Sequence, residues 1–205
     1  MKLTEHQTDA LSELTNIAFG RAAASFSDLA GQRVLLNTPS VAVYETSALK
    51  DALSKLVEGQ GATVHLDFTG PVSGDALLVL DHADAVLLVG LLLGTQSATG
   101  RLSTLDQEAL VEVGNILLNA CLGTFGNLLQ ANIRFSVPNL YLGALVSATE
   151  TWFKARTLRH ALVASTTIGL QEIAVSGLVL VVMDATDMER LIQASENMAH
   201  RMAAG

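Results

Sequence analysis

Val72-Ser73-Gly74-Asp75-Ala76-Leu77-Leu78-Val79-Leu80-Asp81 returns 103 residues later as Val175-Ser176-Gly177-Leu178-Val179-Leu180-Val181-Val182-Met183-Asp184. Each copy is a run of Leu and Val opened by Ser-Gly, the composition of a buried strand. A second apolar run precedes each copy across turn-forming residues. These runs are Ala62–Thr69, before Gly70-Pro71, and Leu158–Thr167, before the Gly169–Glu172 segment. Two hairpins are therefore predicted, one in each half of the chain.

Outward from the hairpins the repeat continues. Pro39 and Pro138 stand 99 residues apart, as do Glu13-Leu14-Thr15-Asn16 and Glu112-Val113-Gly114-Asn115. The second half carries its few extra residues between Pro138 and Val175. Each half begins with a long helix, about Thr4–Leu29 and about Ser103–Ala131, the latter capped by Ser103 or Thr104 ahead of Asp106 and Gln107. A strand follows (Pro39–Tyr44; Pro138–Ala144), then a short helix (Ser47–Val57; Ala148–Arg156), the hairpin, and a closing helix (Ala83–Leu93; Asp187–Asn197). The expected fold class is α+β: a pseudo-two-fold duplicated α/β unit, with two long helices packed on a mainly antiparallel sheet. The whole chain, 1–205, reads as one domain made of two internal repeats, about 1–100 and 101–205.

Half of the residues are hydrophobic but only 4% are aromatic, so the core must be built from aliphatic side chains. No uninterrupted apolar run approaches the roughly 18–20 residues needed to span a bilayer. The longest, Ala85 to Gly94, suits a buried helix. Met1-Lys2-Leu3-Thr4-Glu5-His6 is not followed by the apolar segment of a signal peptide. A cytoplasmic protein without membrane insertion is expected. The net charge of −8, with basic residues scattered, argues against nucleic acid as a partner. One cysteine, Cys121, and five histidines that never share a helical turn predict no disulfide framework and no metal site from neighbouring ligands.

On a helical wheel Asp9, Glu13, Asn16 and Gly20 form a stripe roughly 60° wide, opposite an apolar face of Ala10, Leu11, Leu14, Ile17, Ala18 and Ala22. Glu108, Glu112, Asn115 and Asn119 form the same stripe on the second long helix. Glutamate on an exposed helix face needs no special reason. Asparagine is a poor mid-helix residue, because its amide competes for backbone hydrogen bonds. Its recurrence three residues after Glu predicts a site built twice. The carboxylate can hold a cation and the amide can orient a water.

Asp9-x3-Glu13-x2-Asn16, followed by Ile17 and Gly20, resembles the motif of the CheC/CheX/FliY group of chemotaxis phosphatases. Glu112-Val113-Gly114-Asn115-Ile116-Leu117 resembles the second copy of that motif, and the resemblance extends to the Val-Ser-Gly strands of both halves. Two departures stand out: Glu108 replaces the Asp or Ser of the pattern, and Ile17-Ala18-Phe19-Gly20-Arg21-Ala22 replaces Ile-Gly-x-Gly-Asn-Ala. The resemblance implies a hydrolase acting on the aspartyl phosphate of a CheY-like response regulator. Glu13, Asn16, Glu112 and Asn115 would be catalytic, with Asp9 and Glu108 in support. The Glu would pair with the regulator's lysine and the Asn would orient the attacking water. The chain would bind no cofactor of its own, Mg²⁺ being expected in the regulator. The resemblance also implies an alternative, a non-catalytic adaptor for a response regulator or a CheD-type receptor deamidase. Within the group, an end at Gly205 leaves no room for the extra switch domain of FliY-like proteins, and a doubled motif disfavours CheX. A glycosidase using Glu13 and Glu112 is disfavoured because one Trp and two Tyr offer little platform for sugar.

Overall fold

The computed structural model describes residues 2–49, 51, 59–94, 100–144, 159–170 and 172–203. Helix α1 (Glu5–Ala30) starts where Thr4 and Gln7 form a reciprocal capping box, and it ends at Gly31, whose φ of 62° lies in the left-handed region. Strand β1 (Val34–Glu45) follows, then β2 (Gly61–Thr69), β3 (Gly74–Asp81) and α2 (His82–Leu93). The second half supplies α3 (Thr104–Leu129), β4 (Arg134–Phe135), β5 (Asn139–Gly143), β6 (Arg159–Leu170), β7 (Ile173–Asp184) and α4 (Ala185–Ala203).

Both predicted hairpins are present, as β2–β3 and β6–β7. Several features differ from the sequence reading: β6 runs on through Gly169 and Leu170, which were expected in the turn, and β4 is a strand the sequence reading did not give. β1 begins at Val34, ahead of Pro39, and its register against β6 shifts between Asn37 and Ser40. Pro39 has no N–H to give a ladder, so the strand accommodates it at an irregularity. α4 runs on past Asn197 to Ala203. Of the expected short helix Ser47–Val57 only a helical turn around 46–49 and residue 51 fall among the described residues. Its expected counterpart, Ala148–Arg156, lies outside them.

Among the described residues the strand pairs are antiparallel, in the order β1-β6-β7-β3-β2-β4, with β5 also pairing β2. The two halves exchange strands: β1 lies on the hairpin of the second half, and β5 on that of the first. At the centre β3 meets β7, with Leu77 directly opposite Leu180. These two leucines are related by the same 103-residue offset as the repeated strands. The pseudo-two-fold axis therefore passes through this pair.

α1 and α3 pack against each other and against one face of the sheet, with α4 against α1 and α2 against α3. Leu14, Phe19 and Phe26 of α1 and Leu110, Leu117 and Phe125 of α3 meet Val64, Leu66, Phe68 and Leu78 in the main core. The opposite face carries a smaller cluster of Leu49, Leu77, Val79, Val163, Leu180 and Val182. The central strands are thus covered on both sides, which is why their sequences are continuously apolar rather than alternating. α3 is long and apolar enough to cross a membrane by length and composition, although no unbroken apolar run marks it. Its most apolar stretch is 56% buried inside the fold, as a core helix requires.

Candidate active site

The long helices place the motif residues by burying what lies between them. On α1, Leu14 and Thr15 are buried at 1% and 2% exposure, and the Thr15 hydroxyl donates to the Leu11 carbonyl at 2.7 Å. On α3 the corresponding Val113 and Gly114 are also buried. Gly114 is required by contact: a Cβ there would lie 2.5 Å from the Val64 side chain of β2. With the middle pair facing the sheet, the flanking Glu and Asn are turned away from it. A hydrogen bond from the Arg21 guanidinium to the Thr124 hydroxyl, at 3.4 Å, ties the two helices further along.

Asp9, Glu13, Asn16 and Gly20 are all exposed, so the α1 stripe is a continuous polar surface. Glu108 and Glu112 are likewise exposed, whereas Asn115 and Asn119 are half-buried. The two stripes therefore share a pattern without sharing an environment. The Asn119 amide N–H donates to Asn115 Oδ1 at 2.7 Å, a link that the sequence reading passed over although the residues lie four apart. At the N-terminal edge the stripes also differ. His6 of α1 stacks edge-on with His200 of α4, ring centroids 4.9 Å apart, while its counterpart on α3, Leu105, is 58% exposed.

Away from the stripes, the titratable groups have structural explanations. Burial pushes the Cys121 thiol up to about 12, so it is protonated near neutral pH. Burial, reinforced by neighbouring Asp81, raises Asp84 above its ordinary value, and the Ser176 N–H opposes that by donating to its carboxylate at 3.1 Å. On the sheet face opposite the long helices, His65, Asp67 and Asp75 come together, their ligand atoms within 4.8 Å of one another. Asp67 sits directly across from Asp75, and His65 Nε2 lies 3.2 Å from Asp75 Oδ1. A search for ligands one helical turn apart misses this group, because strand alternation and cross-strand pairing build it. His65 and Asp75 already engage each other as a buried pair.

A family model described as CheC-like matches residues 7–43, which span nearly all of α1 and most of β1. The flagellar motor switch phosphatase FliY of Bacillus subtilis (strain 168) is 29% identical over 142 residues, 68% of this chain and 36% of that protein. The chain thus spans about a third of the length of this curated relative. In structure, Thermotoga maritima FliY aligns with a TM-score of 0.75 at 21% identity, covering 96% of this chain and 99% of that one. FliM in a Helicobacter pylori FliG–FliM complex aligns with a TM-score of 0.63 at 8% identity, covering 93% and 100%. The Borrelia burgdorferi CheX–CheY–BeF3–Mg²⁺ complex aligns at 0.50 and 16% identity, covering 80% and 95%. FliY is the name carried by two of these relatives. In sequence over its first helix and strand, and in fold over almost its whole length, the chain is similar to proteins of the CheC/CheX/FliY group.

Proposed function

We propose that this protein is a phosphatase for the aspartyl phosphate of a CheY-like response regulator in bacterial chemotaxis signalling. One observation carries the reading: two helices each turn a Glu and an Asn outward while burying the residues between them. Such a surface suits a protein substrate better than a small molecule held in a cavity. The relatives favour the same chemistry, since one is a phosphatase by name and another is seen with CheY and Mg²⁺.

Glu13 and Glu112 would each pair with the regulator's lysine and fix the docking register, with Asp9 and Glu108 adding to the negative rim. Asn16 and Asn115 would hold a water in line with phosphorus. The water oxygen bonds to phosphorus as the bond to the aspartyl oxygen breaks, releasing phosphate and the free carboxylate. An amide is no general base near neutral pH, so its contribution is placement. Placement and electrostatics supply most of the catalysis in phosphoryl transfer. Mg²⁺ would belong to the regulator and neutralise the charge developing on the phosphoryl oxygens. The site of action would be the cytoplasm.

Decay of a phosphorylated regulator should be measured with wild type, Asn16→Ala, Asn115→Ala and the double variant. The single variants should each retain part of the acceleration, and the double variant should return decay to the regulator's intrinsic rate. A double variant as fast as wild type sinks the mechanism. A wild type that binds the regulator without speeding decay favours the adaptor reading, with a regulator or a CheD-type deamidase as partner. The FliG–FliM complex gives that reading its own support, because there the same fold serves a protein assembly.

A further inference from the structure

We propose that Asn119 is a positioning residue for Asn115, so that the α3 site works with a pre-set amide and the α1 site with a free one. The proposal rests on the phosphatase reading above and adds an inequality between its two sites.

Three observations carry it. First, Asn119 Nδ2 donates to Asn115 Oδ1 at 2.7 Å, which fixes the plane of the Asn115 amide. One lone pair of Oδ1 and both Nδ2 protons remain available to an incoming water or phosphoryl oxygen. Second, Asn119 Oδ1 is buried with no hydrogen-bond partner among the described residues. Burying an unpartnered carbonyl is unfavourable, so an apolar residue would serve stability better at that position. Helix propensity gives Asn no advantage there either. What the side chain does provide is its donor to Asn115. Third, the counterpart of Asn119 on α1 is Gly20, where an added Cβ would meet nothing within 4 Å. Packing does not exclude a side chain at Gly20. Asn16, one turn earlier, is exposed and has no hydrogen-bond partner among the described residues. The same Glu-x-x-Asn therefore stands in two states on one molecule.

An unrestrained Asn must lose its rotamer freedom in every transition state, whereas a held one has lost it already. The expected signature is in kcat, because Glu112 and the surrounding rim, not Asn119, dock the regulator.

The test isolates each site. In the Asn16→Ala background, Asn119→Ala and the similarly shaped Asn119→Leu should each lower kcat about 2- to 10-fold, with KM unchanged. In the Asn115→Ala background the same changes should leave the remaining rate alone. Gly20→Asn in the Asn115→Ala background should raise the α1-site rate. Circular dichroism melts of every variant separate this from a loss of fold. If Asn119→Leu keeps full kcat in the Asn16→Ala background, the side chain only fills space and the positioning role is overturned. If Asn16→Ala abolishes activity while wild type is active, the α3 site is idle, and this proposal falls while the phosphatase reading stands. If wild type never accelerates decay, both fall.

Discussion

At the scale of single residues, the four-letter motif is shaped as much by its silent middle as by its ends. Thr15 and Gly114 occupy equivalent positions between Glu and Asn, and both face the interior. The α1 copy has room for a threonine that satisfies its own hydroxyl within the helix, while the α3 copy is pressed so close to Val64 that only glycine fits. Gly114→Ala gains helix propensity but forces overpacking, which should win and destabilise the protein by about 1–3 kcal/mol. Chemical denaturation reads this directly. In a Val64→Ala background the same substitution should cost much less, and equal costs in the two backgrounds would refute the close-approach explanation. The sequence alone offered Gly114 only as a motif letter, because the neighbour that demands it is fifty residues away.

At the scale of elements, most of the architecture was readable in advance, for local reasons. Helix α3 starts where its capping box predicts: Ser103 Oγ accepts from the Asp106 N–H at 3.3 Å, and Asp106 Oδ2 accepts from the Ser103 N–H at 2.7 Å. Ser103→Ala should therefore lower stability by about 1 kcal/mol, seen as a shifted denaturant midpoint with unchanged slope. An unshifted midpoint would mean that the tertiary contacts of α3 carry its N-terminus without the cap. The hairpins were legible because turn residues separate apolar runs, and the polar stripes because helical period sorts residues by face. Features made by contact between distant elements were not legible. The His65–Asp67–Asp75 grouping depends on cross-strand register. The unequal burial of the two stripes, with Asn16 exposed and Asn115 half-buried, likewise depends on how each helix seats in the layer.

At the scale of the whole molecule, duplication was visible in the spacing, but the way its halves join was not. Each half contributes its first strand to the other's hairpin, and the centre of the sheet is the junction of the two at Leu77 and Leu180. The halves are therefore repeated in sequence but interleaved in the sheet. Fragments 1–101 and 102–205, expressed separately, should show no cooperative unfolding, whereas together they should assemble into a species that melts cooperatively. Independent melting of either fragment would show that a half closes its own core.

The exchanged strands also bear on synthesis. Among the described residues β1 pairs with β6, so Ser40 waits for Ser165 to emerge before their strands can pair. β3 waits for β7, and the outer edge of β2 waits for β4 and β5. A nascent first half thus leaves the ribosome with β1, β2 and β3 each open on at least one edge and with the apolar flank of α1 uncovered. Open edges and bare helix faces are where chains associate wrongly, and pairings this far apart in sequence form slowly. During translation the first half is thus the part of the chain most in need of a chaperone's protection.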